Sequence, residues 1–274
     1  MSEQPPQRDP RILRKRLVEW IREQVDGARM RGAIFGLSGG VDSAVVCGLA
    51  AEALGPERCL GVIMPAESHE QDARLARDVA ARFGVAAIEV DLSRTVADLR
   101  ATLHQRVEEA RKAAHGVGTA LTETSPAAAP SVPQEKLAQA NLKPRLRMIT
   151  LYFYANLLDY LVIGTGNKAE FTLGYFTKWG DGAADAFPLA DLLKHEVWAL
   201  ARAVGVPDEV TERAPTAGLW AGQTDEEEMG LRYAQIDRYL ATGSSGDGAI
   251  DAEIERRNRN SRHKVATPPA AKLD

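Results

Sequence analysis

Apolar positions along the first ninety residues follow two periods. Behind Asp9-Pro10, a capping residue followed by proline at the first helical position, Ile12, Leu13, Leu17, Trp20, Ile21 and Val25 recur at helical spacing. Ala33-Ile34-Phe35-Gly36-Leu37 is a short apolar run that predicts a buried strand. A helix over Val41–Leu54, an apolar run over 59–64, an amphipathic helix over 71–83 and a third strand over 86–90 follow. Strands and helices that alternate with short connections predict a parallel sheet covered by helices on both faces, with right-handed crossovers.

Residues 115–133 break this pattern with three prolines and many small residues. The stretch reads either as a linker between domains or as a lid that orders over a ligand. One long helix is predicted over 134–158, with a break near Pro144. A fourth strand follows at 161–164, then a glycine- and charge-rich loop at 174–187 and a helix at 192–204 ended by Gly205. Two further helical patterns lie near 225–240 and 250–260. No internal repeat is visible.

Composition narrows the class. The 274 residues are 45% hydrophobic and 26% charged, ordinary globular values. The length suits one large α/β domain or two small ones, with a core that needs no disulfide or metal staple. With 34 basic and 38 acidic residues the net charge is −4, which argues against a general nucleic-acid binder. Cys47 and Cys59 lie in apolar runs and read as inert core thiols. The amino-terminal segment lacks the apolar stretch of a signal peptide. No run of about 18 apolar residues is available to span a membrane. The expected location is cytoplasmic.

The sharpest local signal is Gly36-Leu37-Ser38-Gly39-Gly40-Val41-Asp42-Ser43, between a predicted strand and a predicted helix. Backbone N–H groups of such a turn, aided by the helix N-terminus, can hold an anion. Gly39 and Gly40 open dihedrals closed to other residues, and Ser38 and Ser43 add hydroxyls. Asp42 would repel a phosphate unless a cation intervened, which implies Mg²⁺. GxxxxGK[ST] and GxGxxG are both missing, so neither the Walker site nor the dinucleotide fingerprint applies. Thr165 follows the fourth strand, at the sheet end where open α/β folds bind ligands. Glu170, five residues on, is placed to offer a second carboxylate to Mg²⁺. Lys178, Asp181 and Asp185 sit in the glycine-rich loop. There Lys178 could pair with a carboxylate or phosphate, and Asp185 could accept from a ribose hydroxyl.

The SGGxDS turn resembles the pyrophosphate loop of the N-type ATP pyrophosphatases, which cleave ATP between the α and β phosphates to adenylylate a substrate. The segment 164–194, GTGNKAEFTLGYFTKWGDGAADAFPLADLLK, resembles the signature region of the ammonia-dependent NAD synthetases. NLKPRLRM at 141–148, APTAGLWAGQTDEEEMG at 214–230 and SRHK at 261–264 resemble other motifs of that family, in the same order. The resemblance runs from about residue 11 to 264. It implies a single domain over 1–274 of the adenine-nucleotide alpha-hydrolase type, doubly wound, with a mainly parallel five-stranded sheet. It assigns Lys194 and Thr216 to ATP phosphates, and Arg145, Lys178, Asp185, His263 and Lys264 to deamido-NAD. It further implies Mg²⁺ on Asp42 and Glu170, and a homodimer. The helix that carries Ile149, Leu151, Tyr152, Phe153 and Leu157 could supply an apolar face for the dimer or pack in the core, and sequence alone does not decide between the two. Two departures are visible. GDGAAD replaces the usual GDGGAD at Ala183, and HKVATPP replaces a more basic tail.

The implied reaction is carbon–nitrogen ligation. The nicotinate carboxylate of deamido-NAD attacks the α-phosphate of ATP, pyrophosphate leaves into the glycine turn, and ammonia displaces AMP to give NAD. Asp181 is the candidate to bind ammonium and take its proton. A glutamine-dependent relative would need an amidase domain with its own catalytic cysteine, so free ammonia is the expected nitrogen source. Two competing readings are a tRNA sulfur transferase of the same superfamily and a nucleotide-binding regulatory module. The first wants a cysteine pair and a basic surface. The second is disfavoured by the intact Asp42, Glu170 and Lys194. His69, His104, His115 and His195 lack zinc-ligand spacing. Glu226-Glu227-Glu228 suits a helix N-terminus. Trp179 and Trp220 could stack on a base, but packing inside is the more usual fate of such residues.

Overall fold

The computed structural model describes residues 8–116, 131–215 and 224–271. Four strands, β1 (Gly32–Gly36), β2 (Cys59–Ile63), β3 (Ala86–Glu89) and β4 (Tyr160–Val162), form one parallel sheet in the order β3-β2-β1-β4. Alternation along β1 sorts the two layers. Ala33 and Phe35 pack with α1 (Pro10–Gly27), α2 (Val41–Leu54), α3 (Glu70–Phe83) and α8 (Lys194–Val204). Ile34 packs on the opposite face with Val62, Val162, Val96 of α4 (Ser93–Gly116) and Ala155 of α6 (Leu142–Leu158). Both faces of the central strand β1 are thus covered, as its continuous apolar run requires, while the edge strand β3 stays largely exposed.

The expected fifth strand is reduced to one parallel bridge between Ile163 and Ala186. Pro188, two residues on, has no N–H to extend a ladder. Three helix expectations also change. The long helix divides at Asn141 into α5 (Val132–Ala140) and α6, so Pro144 falls in the first turn of α6, where its missing N–H costs nothing. The 225–240 pattern divides at Gly230, φ +63, into α10 (Asp225–Met229) and α11 (Tyr233–Thr242). The 24-residue α4 fills a stretch for which the hydrophobic pattern predicted nothing.

A smaller cluster joins α7 (Lys168–Leu173), α10, α11 and α12 (Gly248–Val265) through Leu173, Met229, Tyr233, Ile236 and Ile254. A four-residue helix, α9 (Asp208–Thr211), follows α8. The chain passes from β1 outward to β2 and β3, then returns to place β4 on the other side of β1. The strand order therefore reverses between β1 and β4, and the loops leaving their carboxyl ends converge at that point. Among the described residues, no helix is long and apolar enough to cross a membrane.

Candidate active site

The loop after β1 forms the first wall. Gly39 adopts φ +77, and a Cβ there would lie 2.5 Å from the backbone oxygen of Asp72 at the start of α3. Only glycine meets both conditions. Ser43 Oγ donates to Gly40 O at 2.9 Å and lies 3.1 Å from Ser38 Oγ, so the two hydroxyls brace the turn. Gly40 caps α2 without a side-chain hydrogen bond. The first N–H groups of a helix lack intrahelical partners, so this end of α2 presents donors and a positive dipole end.

Asp42, in the first turn of α2, is the hub. Its Oδ2 lies 2.6 Å from Lys194 Nζ, and its Oδ1 accepts from Asn167 Nδ2 at 3.1 Å. Lys194 is buried, with 1% of its side chain exposed. Burial pushes its ammonium down, but Asp42, Glu170 and Asp225 outweigh that and leave it raised. Its Nζ also stands 5.0 Å from the centre of the Tyr233 ring. Glu170 lies in the first turn of α7. Its Oε2 accepts from Asn167 N at 2.9 Å, and its own N–H donates to Asn167 Oδ1 at 3.1 Å, a reciprocal cap. Burial and the charge of Asp42 hold the Glu170 carboxyl well above the usual range. Asp225 is buried, accepts from Tyr233 at 2.9 Å and Tyr175 at 3.3 Å, and is raised chiefly by burial.

Three carboxyl groups therefore gather around one buried ammonium, and the raised Glu170 and Asp225 are groups whose ionised forms a further cation would favour. Among the described residues no group of three or more His, Cys, Asp or Glu is arranged to hold a metal alone. Mg²⁺ needs no such cage: one or two carboxylates plus phosphate oxygens and water suffice. Asp42 and Glu170 fit that requirement.

The backbone of Lys194 is fixed from α11. Asp237, 2% exposed, accepts from Lys194 N and His195 N and contacts His195 Nδ1, each at 2.9 Å. It supplies from another helix the cap that Leu193 cannot. Glu196 completes this end of α8 by accepting from Leu193 N at 3.0 Å and pairing with Arg8 at 2.6 Å.

The glycine-rich loop forms the second wall. Asp181 Oδ1 accepts from Thr177 N at 2.9 Å. Crowding by protein raises its carboxyl against the pull of the Thr177 N–H, Arg147 and Lys264. The residue as a whole is nevertheless exposed. Lys178 Nζ donates to His263 O at 2.5 Å, and Arg145 Nη2 to Lys178 O at 3.3 Å. Lys264 Nζ donates to Gly174 O and Phe176 O at 2.7 and 2.8 Å. Asp185 accepts from Tyr152 OH at 3.0 Å and Val162 N at 2.9 Å, so it also closes the end of β4.

The expected residues thus fall into two sets. Ser38, Asp42, Ser43, Glu170 and Lys194 meet around the β1 turn, with Thr165 half-buried at the adjoining end of β4. Arg145, Lys178, His263 and Lys264 are laced together by backbone carbonyls of the second wall. Thr216 and Trp220 lie outside the described residues. Sequence assigned no role to Asn167, Asp225 or Asp237. Asn167 precedes a short helix with Glu at its third position, and that capping pattern is readable in sequence. Asp237 carries no such signal.

Residues 13–268 match the family model described as NAD synthase. The chain belongs to the NAD synthase family. An NH(3)-dependent NAD(+) synthetase of Carboxydothermus hydrogenoformans is 44% identical over 94% of this chain and 96% of its own length. Two solved members of similar form extend the comparison. The NMN synthetase of Francisella tularensis superposes with a TM-score of 0.82 at 30% identity, over 96% of this chain and 99% of its own. The NAD+ synthetase of Burkholderia pseudomallei does so with a TM-score of 0.71 at 29% identity, over 97% and 93%.

Proposed function

We propose that the chain is an ammonia-dependent NAD synthetase, acting as one synthetase domain that amidates deamido-NAD at the expense of ATP. The observation that carries the reading is the pairing of Asp42 at the N-terminus of α2 with buried Lys194, and Glu170 joined to it through Asn167.

A carboxylate cannot release oxide, so it must first be activated. In this reading the N–H groups around Gly39 and Gly40 and the Ser38 and Ser43 hydroxyls receive the pyrophosphate of ATP. Lys194 and Thr216 add donors to it, and Thr165 borders the nucleoside. Mg²⁺ held by Asp42 and Glu170 supplies charge neutralisation on the departing phosphates. Arg145, Lys178, Asp185, His263 and Lys264 orient deamido-NAD so that its carboxylate reaches the α-phosphorus and forms the acyl-adenylate. Asp181 holds ammonium beside the acyl carbon and takes one proton. The resulting ammonia attacks, the added nitrogen gives up a second proton to the departing phosphate or to water, AMP leaves with one former carboxylate oxygen, and the first proton passes from Asp181 to water. The protein supplies no nucleophile; it acts by positioning and electrostatic stabilisation.

Free ammonia as the nitrogen source is supported by the relative named above and by the state of the cysteines. Cys47 and Cys59 are buried, and burial pushes both thiols up to about 12. Neither is poised as a glutaminase nucleophile. A homodimer is supported by Ile149, Phe153 and Leu157, exposed along one stripe of α6; spacing of four residues stacks them on one face.

Incubation with ATP, Mg²⁺, deamido-NAD and an ammonium salt should yield NAD and AMP in equal amounts. Nicotinate mononucleotide in place of the dinucleotide should react poorly. No NAD under conditions where ATP binds, or equal turnover with glutamine as the nitrogen source, would contradict the reading.

A further inference from the structure

Trp179 does not pack inside: 53% of the residue is exposed. Its backbone lies at φ +61, a left-handed conformation unusual for a bulky side chain. The turn imposing it is tightly fixed. Buried Thr177 accepts at its carbonyl from Gly180 N at 2.9 Å and Gly182 N at 3.2 Å, and its hydroxyl donates to Asn141 at 2.6 Å. A Cβ on Gly180 would meet Pro144 and Thr177 at 3.0 Å. The fold thus holds an indole in solvent, in a strained conformation, between Lys178 and Asp181. The ring already meets a cation, since Lys178 Nζ lies 5.3 Å from its centre.

We propose that Trp179 binds the pyridine ring of the dinucleotide, with the indole stacked on the pyridinium. The proposal rests on the synthetase reading. An N-ribosylated nicotinate ring carries a positive charge, and Trp is the side chain that binds such a cation best. Substrate and amide product share that charge. The contact is therefore uniform binding, expressed in KM rather than kcat.

NAD, added to the wild-type protein without ATP, should quench tryptophan emission through indole–pyridinium contact, whereas AMP should not. Trp179→Phe should lose that NAD-dependent quenching although Trp20, Trp198 and Trp220 remain. Trp179→Asn separates binding from folding, because Asn tolerates a left-handed φ. It should keep or raise Tm while KM for deamido-NAD rises about 3- to 30-fold, with KM for ATP unchanged. Equal NAD quenching in wild type and Trp179→Phe, or an unchanged KM in Trp179→Asn, overturns the proposal. So does a weakened dimer with unchanged KM, which would set the indole against a second copy. If wild type forms no NAD at all, the synthetase reading itself has failed, and that result is separate from any effect of the substitutions.

Discussion

Lys194 Nζ lies 2.6 Å from Asp42 Oδ2, joining residues 152 apart in the chain. The contact closes the wall built by the β1–α2 turn onto α8. Its burial decides its energetics: removing one partner of a buried pair strands the other charge. Because Asp42 keeps 18% of its side chain exposed, Lys194→Met should lower stability by less than the about 3–5 kcal/mol of a fully buried pair in urea denaturation. Adding Asp42→Asn should recover part of that loss while leaving the enzyme inactive. A double variant whose loss is the plain sum of the single losses would contradict the coupling.

Asn167 should prove a positioning residue for both candidate metal ligands, since its side chain donates to Asp42 and accepts from Glu170 N. Serine caps a helix about as well as asparagine but cannot reach Asp42 as a donor. Asn167→Ser should therefore change stability by less than about 1 kcal/mol. Activity at limiting Mg²⁺ should fall about 10- to 100-fold, with partial recovery at high Mg²⁺. Loss of stability and activity in proportion would mark a purely structural role.

Asp237 accepts two backbone N–H groups at the start of α8. Asp237→Asn turns an amide NH₂ toward those donors, with a cost of about 1–3 kcal/mol for a buried unsatisfied group. Because Lys194 is the first residue of that helix, kcat should fall more than KM for ATP rises. An unchanged kcat would detach Asp237 from the site.

Acid stability should report the Arg8–Glu196 pair. Burial raises the Glu196 carboxyl, but hydrogen bonds from Arg8 and Leu193 N outweigh it and leave the group below its ordinary 4.5. A carboxylate with a depressed value stabilises the fold above its unfolded value and loses that contribution as pH falls through the folded one. Arg8→Ala should thus lower Tm most above pH 4.5, and the two proteins should converge in stronger acid. The loss should lie between the about 1 kcal/mol of a surface pair and the about 3–5 kcal/mol of a buried one. A difference independent of pH would refute the assignment.

What sequence could show here followed local pattern. β1, its glycine turn and α2 were legible because an apolar run, a turn without bulk and a helical pattern stand side by side. The helix α4 was not, because it is exposed over most of its length and buries little beyond Val96. The fifth strand is implied by the resemblance alone; the pattern reads 174–187 as a loop, and Ala186 makes a single bridge there. Asp42 and Glu170 were found through turn and helix position. Asp237 and Asp225 were missed because each acts across a tertiary contact, on Lys194 N and the Tyr233 hydroxyl, that no spacing encodes.

The most direct test of the whole account follows one oxygen atom. Deamido-NAD labelled with ¹⁸O in its carboxylate is incubated with the protein, ATP, Mg²⁺ and an ammonium salt, and the products are weighed by mass spectrometry. Attack of the carboxylate on the α-phosphorus predicts NAD together with AMP carrying one ¹⁸O, and unlabelled pyrophosphate. NAD formed beside unlabelled AMP, or no NAD from ammonium, would contradict it.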